Sequence, residues 1–298
     1  MADRLARLSL AVERSVEGLL GGHHRSPRRG ISVEFVERRP YVQGDDLRHL
    51  DWKAFARSDR LSVKRYEEET NLEATLVVDA SASMAYPEAA PNAGTDAPLT
   101  KYDYACQVAM AIAHLVLRER DGASLALFDH VVDRVLPTST SQGHLEVVGQ
   151  SLLQRDAQGT TAFSAVLANL TERIARPGLV VIVSDLFGDL AELDAGLGFL
   201  RTRNHDVIVL HVLHADELRF PFDRLTRFEG METNGRLLVD APALREGYIE
   251  VINEWRAEVR QLCHRRGVDY KLIDTDQPLD VSLSAFLGAR QARLGGRR

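Results

Sequence analysis

The sequence contains little cysteine. Only Cys106 and Cys263 are present, far apart along the chain. A disulfide framework or a cysteine-based metal site needs more cysteines at closer spacing, so neither is expected, and the chain suits a reducing compartment. Its 298 residues, 45% of them hydrophobic and 27% charged, are enough to bury a core that needs no cross-links.

Long apolar runs and an excess of positive charge are also missing. No apolar run approaches the roughly 18 residues that a membrane-spanning helix requires, so we expect no membrane span. The first twenty residues contain acidic side chains and lack the apolar segment of a signal peptide. The formal net charge of −6 argues against a general nucleic-acid-binding protein. These absences together predict a cytoplasmic protein without a nucleic-acid partner.

The chain divides into two regions of different character. Residues 1–72 begin with an amphipathic pattern and continue into a polar stretch, so we predict an N-terminal helix plus an extension packed on the main domain. Residues 73–298 form the predicted main domain, in which 216–298 are a C-terminal extension. The apolar face of the first helix consists of Leu5, Leu8, Val12, Val16 and Leu19.

Strands and helices are predicted to alternate through the main domain. The predicted strands are 74–79, 123–128, 131–136, 179–184 and 206–212. The predicted helices are 102–120, 144–155, 163–175 and 190–203. This alternation predicts an α/β fold, a mostly parallel, Rossmann-like sheet with helices on both faces. Only Asp129-His130 joins the second and third strands, so these two form an antiparallel edge hairpin.

The C-terminal extension shows four further elements. Asn234-Gly235 predicts a β-hairpin turn between strands 227–232 and 236–239. A long helix, 244–265, is expected to end at Gly267. A strand over 268–274 and a last helix near 283–294 complete the prediction.

The most informative segment is the end of the first main-domain strand. The apolar run Leu76–Val78 stops at Asp79, and two hydroxyls follow at alternate positions, Ser81 and Ser83. Ligands of parallel sheets gather beyond the carboxyl ends of the strands, which places this carboxylate and these hydroxyls at the usual binding edge. Hard oxygen donors of this kind suit Mg²⁺ or a similar divalent cation.

Two other loops are expected at the same edge. Gly159 precedes Thr160 and Thr161 at the start of a helix, and Asp185 follows a buried strand as Asp79 does. Together they predict a Mg²⁺ shell of two carboxylates and three hydroxyls, completed by water. The competing interpretation is a metal-free scaffold in which these residues only close loops and cap helices. Residues 85–100 follow the first loop and are candidates to shield or gate the site.

These motifs resemble a known family. The Asp79-Ala80-Ser81-Ala82-Ser83 motif, a Thr after Gly159, and Asp185 after a strand resemble the metal-ion-dependent adhesion site of von Willebrand factor A domains. Further segments are similar to a bacterial subgroup, the domain of unknown function 58 family. They are RSPRRG (25–30), YVQGDDLRHLDW (41–52), ARS (56–58), the Glu-rich run at 67–69 and TDQPL (275–279).

The resemblance implies roles for individual residues. Ser81 and Ser83 would bind the metal directly, and Thr161 would supply the third hydroxyl. Thr160 competes for that role, because the family's Gly-Gly-Thr is Gly-Thr-Thr here. Asp79 and Asp185 would hold the ion directly or through water. The implied ion is Mg²⁺, or Mn²⁺ or Ca²⁺ in its place.

The resemblance also implies partners. One coordination position of the family's metal stays open, and an acidic residue of a protein partner can occupy it. A MoxR-type AAA+ ATPase is the implied partner in such proteins. The resemblance therefore predicts a metal-dependent interaction module, an adaptor or co-chaperone, rather than an enzyme.

An alternative interpretation of the same residues is a Mg²⁺-dependent, phosphatase-like hydrolase in which Asp79 is the nucleophile. Such enzymes resemble Asp-x-Asp-x-Thr, in which the second Asp is the acid and base. Ser81 stands at that position and cannot do this work near neutral pH. The sequence also lacks a phosphate-binding Gly-x-x-x-x-Gly-Lys loop and a Gly-x-Ser-x-Gly elbow. We therefore predict that the protein is not an enzyme.

Overall fold

A computed structural model describes most of the chain. The described residues are 5, 6, 8–10, 12, 16, 35–42, 50–58, 60–66, 72–87, 98–174, 176–233 and 235–283. They fall into two compact units, residues 1–23 with 72–298, and residues 24–71. The predicted last helix, apart from its first residue, and most of the predicted gating loop lie outside the described residues.

The smaller unit contains a two-stranded sheet and a short helix. Strand β1 (Phe35–Pro40) pairs antiparallel with β2 (Ser62–Tyr66). Helix α1 (Trp52–Ser58) begins directly after Asp51, whose Oδ1 accepts a hydrogen bond of 3.0 Å from Ala54 N. This side chain satisfies one of the free amides of the first turn.

The larger unit is built on a six-stranded sheet. Its order is β10-β7-β6-β3-β4-β5, and every neighbouring pair is parallel except β4 and β5. Its strands are β3 (Glu73–Asp79), β4 (Gly122–Phe128), β5 (Val132–Ser139), β6 (Leu179–Ser184), β7 (Asp206–Leu213) and β10 (Asp269–Asp274). The predicted α/β class, the mostly parallel sheet and the antiparallel edge hairpin are confirmed.

Helices cover both faces of this sheet. They are α2 (Lys101–Arg118), α3 (His144–Leu153), α4 (Phe163–Arg173), α5 (Leu190–Thr202), α6 (Ala215–Arg219) and α7 (Ala241–Arg265). Side chains of α2 and α3 form one core layer, and side chains of α4, α5 and α7 form the other. Leu76 and Val78 face the first layer while Val77 faces the second, as the two-residue period of a strand requires.

The N-terminal pattern contributes to the first layer. Leu8, Val12 and Val16 are buried in it, as the predicted apolar helix face requires. Leu19 lies outside the described residues. Among the described residues, no helix has both the length and the apolar character needed to cross a membrane.

The C-terminal hairpin differs from its prediction. Strand β8 (Leu225–Glu229) pairs antiparallel with β9 (Arg236–Asp240), so β8 ends three residues before the expected position. The connection is longer than a two-residue turn, because Gly230 N–H donates to the Gly235 carbonyl at 2.8 Å. Residues 231–233, which include Glu232, therefore lie in a loop rather than in a strand.

The strand order of the sheet reverses at β3. Strands β4 and β5 lie on one side of β3, and β6, β7 and β10 lie on the other. The point where strand order reverses in an open α/β sheet leaves a crevice outside the strand ends, where ligands bind. Val78 pairs with Val183 in register, so Asp79 and Ser184 end adjacent strands at this crevice.

Candidate metal centre

Asp79 is the buried carboxylate at the end of β3. Its side chain is fully buried. Ser81 N–H donates to Oδ1 at 2.8 Å, and Ser184 Oγ donates to Oδ2 at 2.5 Å. Both donors are neutral, and no cationic side chain of the described part of the chain forms an ion pair with Asp79. A buried negative charge without a cation is costly, so this position calls for one.

The proton affinity of Asp79 reflects this environment. Burial is the main cause and the nearby charge of Asp185 the second, and together they raise the pKa of Asp79 from 3.8 to about 7. The hydrogen bonds from Ser184 and Ser81 oppose this change without cancelling it. A proton therefore stabilises Asp79 near neutral pH, and a metal cation would act in the same direction.

Ser81 and Ser83 bring two hydroxyls together beside Asp79. Their Oγ atoms are 3.1 Å apart. Ser81 is fully buried and Ser83 is half-buried, at the start of a short 3-10 helix spanning Ala82–Ala85. Alternate hydroxyls on a tight loop thus point to a common position, which is the arrangement that the sequence predicts.

The loop before α4 lies against the Asp79 loop. Ala82 N–H donates to the Gly159 carbonyl at 2.9 Å, and Gln158 N–H donates to the Ala80 carbonyl at 2.8 Å. Gly159 has a φ of +84°, and a Cβ there would lie 3.0 Å from Asp129 Oδ2. The positive φ favours glycine at this position, and a Cβ would also require the Asp129 side chain to shift slightly.

The two threonines that follow differ in exposure. Thr160 is exposed, whereas Thr161 is half-buried. Thr161 Oγ1 lies 3.4 Å from Glu232 Oε1, a long hydrogen bond to the β8–β9 loop. The structure thus places Thr161 within the crevice, and the ligand role of either threonine stays a prediction.

Asp185 directly follows β6 and has a different set of partners. Lys101 Nζ donates to Asp185 Oδ2 at 2.7 Å and to Glu217 Oε1 at 2.6 Å. Lys101 and Asp185 are fully buried, and Phe187 N–H donates to Asp185 Oδ1 at 3.2 Å. Burial lowers the pKa of Lys101, but the two carboxylates outweigh it and raise the pKa above its ordinary value. Lys101 is therefore a fixed positive charge within the crevice.

The charges of this cluster suit a divalent cation. Asp79, Asp185 and Glu217 carry three negative charges when ionised and Lys101 carries one positive charge, which leaves two negative charges. One divalent ion balances them. No group of three or more His, Cys, Asp or Glu side chains in the described ranges is arranged to hold a metal. The predicted shell has only two carboxylates, and its other donors are the hydroxyls of Ser81, Ser83 and Thr161.

An open cleft adjoins this cluster. It has a volume of about 420 Å³. Its wall combines a predicted metal ligand, Ser83, with the rings of Tyr86 and Phe187 and the carboxylates of Glu217 and Glu232. Tyr86 is fixed by a hydrogen bond of 2.7 Å from its hydroxyl to Asp216 Oδ2. The cleft therefore provides space for a partner group next to the predicted ligands.

Sequence reasoning missed four residues at this site. Ser184 is the residue before Asp185. Its place at the end of a predicted strand could have indicated that it lies near Asp79 on the adjacent strand. Lys101 begins α2 directly after the capping residue Thr100, and no feature of the neighbouring sequence indicates that its side chain is buried. Glu217 and Glu232 come from the C-terminal extension, and only tertiary structure brings them to the crevice.

His211 is a core residue next to the site. It is fully buried on β7, and its Nδ1 is 2.9 Å from the hydroxyl of Tyr270. Burial is the main reason that the pKa of His211 falls to about 3. The imidazole is therefore neutral at physiological pH and part of the core beside the site.

The fold and the crevice define a class: a Rossmann-like α/β protein whose carboxylates and hydroxyls meet at the strand-order reversal. Residues 37–258 match a family that is described as "Protein of unknown function DUF58". The chain belongs to this family.

Mycobacterial proteins are similar over nearly the whole chain. Uncharacterized protein Rv1480 of Mycobacterium tuberculosis and Uncharacterized protein Mb1516 of Mycobacterium bovis are both 26% identical over 297 residues. The alignment covers 98% of this chain and 90% of each relative. Neither relative has an enzymatic name.

Two solved structures from Bacteroides are also similar. Conserved hypothetical protein BatB of Bacteroides thetaiotaomicron is 13% identical with a TM-score of 0.45, covering 73% of this chain and 98% of that chain. An aerotolerance-related membrane protein of Bacteroides fragilis is 14% identical with a TM-score of 0.45, covering 73% of this chain and 99% of that chain.

Proposed function

We propose that this protein is a metal-dependent protein-interaction module. In this proposal its crevice works as the metal-ion-dependent adhesion site of a von Willebrand factor A-like domain. Asp79, Ser81, Ser83, Thr161 and Asp185 would hold one divalent cation, Mg²⁺ or Mn²⁺ or Ca²⁺. When bound, the cation would supply a positive charge that an acidic residue of a partner can reach through the cleft.

The observation that carries the proposal is the state of Asp79. It is fully buried, accepts hydrogen bonds only from neutral donors, and has a raised pKa. A group that only closed a loop would not need to be ionisable, because an amide of the same shape makes both hydrogen bonds. A cation that binds Asp79 would explain a carboxylate at this buried position.

Docking is favoured over catalysis by the same geometry. A nucleophilic carboxylate needs an oxygen that a substrate can approach, and both oxygens of Asp79 are buried and hydrogen-bonded. Ser81 stands where the phosphatase motif has an acid, and its backbone and hydroxyl are engaged with Asp79 and Ser83. These contacts favour a docking role for the crevice over a nucleophilic role for Asp79.

The class of partner follows from the site and from the family resemblance. A cation held mainly by neutral hydroxyls stays electron-poor and attracts a carboxylate. The resemblance adds a MoxR-type AAA+ ATPase as the partner of an adaptor or co-chaperone. We propose a cytoplasmic setting for this assembly, because the sequence has no excess of positive charge and no long apolar run.

A pull-down with the full chain tests the proposal. Partners recovered in millimolar Mg²⁺ should be lost in EDTA, and the Asp79→Asn protein should recover none in either buffer. Asp194→Asn is the matched control, because Asp194 is an exposed carboxylate ion-paired with Arg266. Equal recovery by wild type with and without EDTA would support the metal-free scaffold instead. Mg²⁺-dependent turnover of a generic phosphate ester that Asp79→Asn abolishes would favour the hydrolase.

A further inference from the structure

The β8–β9 loop reaches the candidate metal centre. Glu232 Oε1 is 3.4 Å from Thr161 Oγ1, and Glu232 shares the cleft wall with Ser83. Glu232 is half-buried, whereas its neighbours Met231 and Thr233 are exposed. Glu232 is therefore the side chain of this loop that contacts a predicted hydroxyl ligand, Thr161, and it lines the same cleft as Ser83.

The charge of Glu232 makes this position informative. The cleft already contains Glu217, and Asp79 and Asp185 lie behind it, so a further carboxylate meets like charges. Within the described ranges no cationic side chain forms an ion pair with Glu232, unlike Glu229 of the same hairpin, which pairs with Arg227 at 3.0 Å. A cation at the hydroxyls would turn this repulsion into attraction.

From this geometry we infer that Glu232 is an internal competitor for the acidic partner. Its carboxylate takes the place at the cation that a partner's carboxylate would otherwise take, and a partner must displace it. The inference rests on the proposed function, because it requires a cation at the site. It adds a regulatory element to the site, namely a loop of the same chain that closes it.

Glu232 lies in the loop of the hairpin and outside its anchored strands. Strands β8 and β9 form a two-stranded sheet separate from the six-stranded one, and Phe228 of β8 contacts the rings of Phe220 and Phe222. The hydrogen bond from Gly230 N–H to the Gly235 carbonyl closes the base of the loop, so Glu232 can leave the cleft while the two strands stay in place. Release of Glu232 would leave the six-stranded sheet and both core layers intact.

Mn²⁺ binding to the full chain tests this inference. The titration measures the dissociation constant for Mn²⁺, and water-proton relaxation reports the exchangeable water on the bound ion. Glu232→Gln should bind Mn²⁺ about tenfold more weakly than wild type, because a charged ligand is lost. It should also show more exchangeable water, because the vacated position fills with solvent. Glu229→Gln removes the same charge from the same hairpin and should match wild type in both readouts.

The outcomes separate the two proposals. Wild type that binds Mn²⁺ while Glu232→Gln matches it in affinity and water exchange would overturn the role of Glu232 and leave the proposed function standing. Equal weakening by Glu229→Gln would also overturn it, since the effect would be long-range charge. Wild type that binds no Mn²⁺ would overturn both. Melting temperatures of the variants near that of wild type in EDTA show that each one is folded.

Discussion

Asp79 ends β3 and Asp185 directly follows the neighbouring parallel strand β6, and both are fully buried, yet they are neutralised in different ways. Asp185 receives a positive charge from its own chain, Lys101, at 2.7 Å. Asp79 receives only a backbone amide and a hydroxyl. Two carboxylates at equivalent strand ends therefore differ in whether the fold supplies their counter-charge.

The difference shows which part of the site is permanent and which is exchangeable. Lys101 is fully buried between Asp185 and Glu217, so it cannot leave without unfolding part of the structure. The charge of Asp79 is instead neutralised by a proton or a cation from solution. We propose that the fixed ion pair shapes the crevice and that the exchangeable ion makes partner binding depend on metal.

The largest expected effect comes from removing the fixed charge. Lys101→Met keeps the length of the side chain but leaves Asp185 and Glu217 without a cation, and breaking a buried pair in this way costs about 3–5 kcal/mol. Denaturant unfolding of the two proteins measures the difference. Lys271→Met is the control, because Lys271 is half-buried on the edge strand β10 and forms no ion pair among the described contacts. Equal loss in both variants would show that the Lys101 cluster contributes no special stability.

The next effect concerns the exchangeable charge and depends on pH. In EDTA, folded Asp79 holds its proton up to a pKa of about 7, whereas the unfolded chain releases it near 3.8. The stability from this group is fully present below the unfolded value and is lost as pH rises through about 7. Asp79→Asn mimics the protonated form, so at pH 8 without metal it should be more stable than wild type by roughly 2–4 kcal/mol.

Urea unfolding at pH 5 and pH 8 in EDTA measures this prediction. Wild type should lose stability between the two values, and Asp79→Asn should lose less. A variant with the same pH dependence as wild type would mean that Asp79 is not the group that titrates.

A smaller effect separates the two kinds of hydrogen bond in the sheet. Ser184 Oγ donates to the Asp79 carboxylate at 2.5 Å, and Ser124 Oγ contacts the neutral hydroxyl of Thr75 at 2.9 Å. Hydrogen bonds to charged groups contribute about 1.5–3 kcal/mol and neutral ones about 0.5–1.5 kcal/mol. At pH 8 in EDTA, Ser184→Ala should therefore destabilise more than Ser124→Ala. If the order is reversed, Asp79 is uncharged at that pH.

Much of the architecture was predictable because its signals are local. The buried runs at 74–79, 179–184 and 206–212 appear as strands within a residue or so of their predicted ends. An apolar run that stops at a polar residue marks the end of a buried strand, where ligands of a mostly parallel sheet bind. This pattern pointed to Asp79, Ser81, Ser83 and Asp185.

The remaining parts of the site depend on packing between distant segments. Lys101 and Glu217 are 116 residues apart, and Thr161 and Glu232 are 71 residues apart. No periodicity or turn residue encodes those contacts. The hairpin was expected to turn at Asn234-Gly235, and its longer loop, which carries Glu232, became visible only with the Gly230 to Gly235 hydrogen bond.

Calorimetric titration of Mg²⁺ into wild type and Asp79→Asn at pH 8 measures whether Asp79 belongs to a metal centre. The variant is expected to be folded and at least as stable as wild type in EDTA, so a loss of binding cannot be attributed to unfolding. We expect one Mg²⁺ bound per wild-type chain and none bound by Asp79→Asn. Failure of wild type to bind Mg²⁺, or equal binding by the variant, would contradict a metal centre at Asp79.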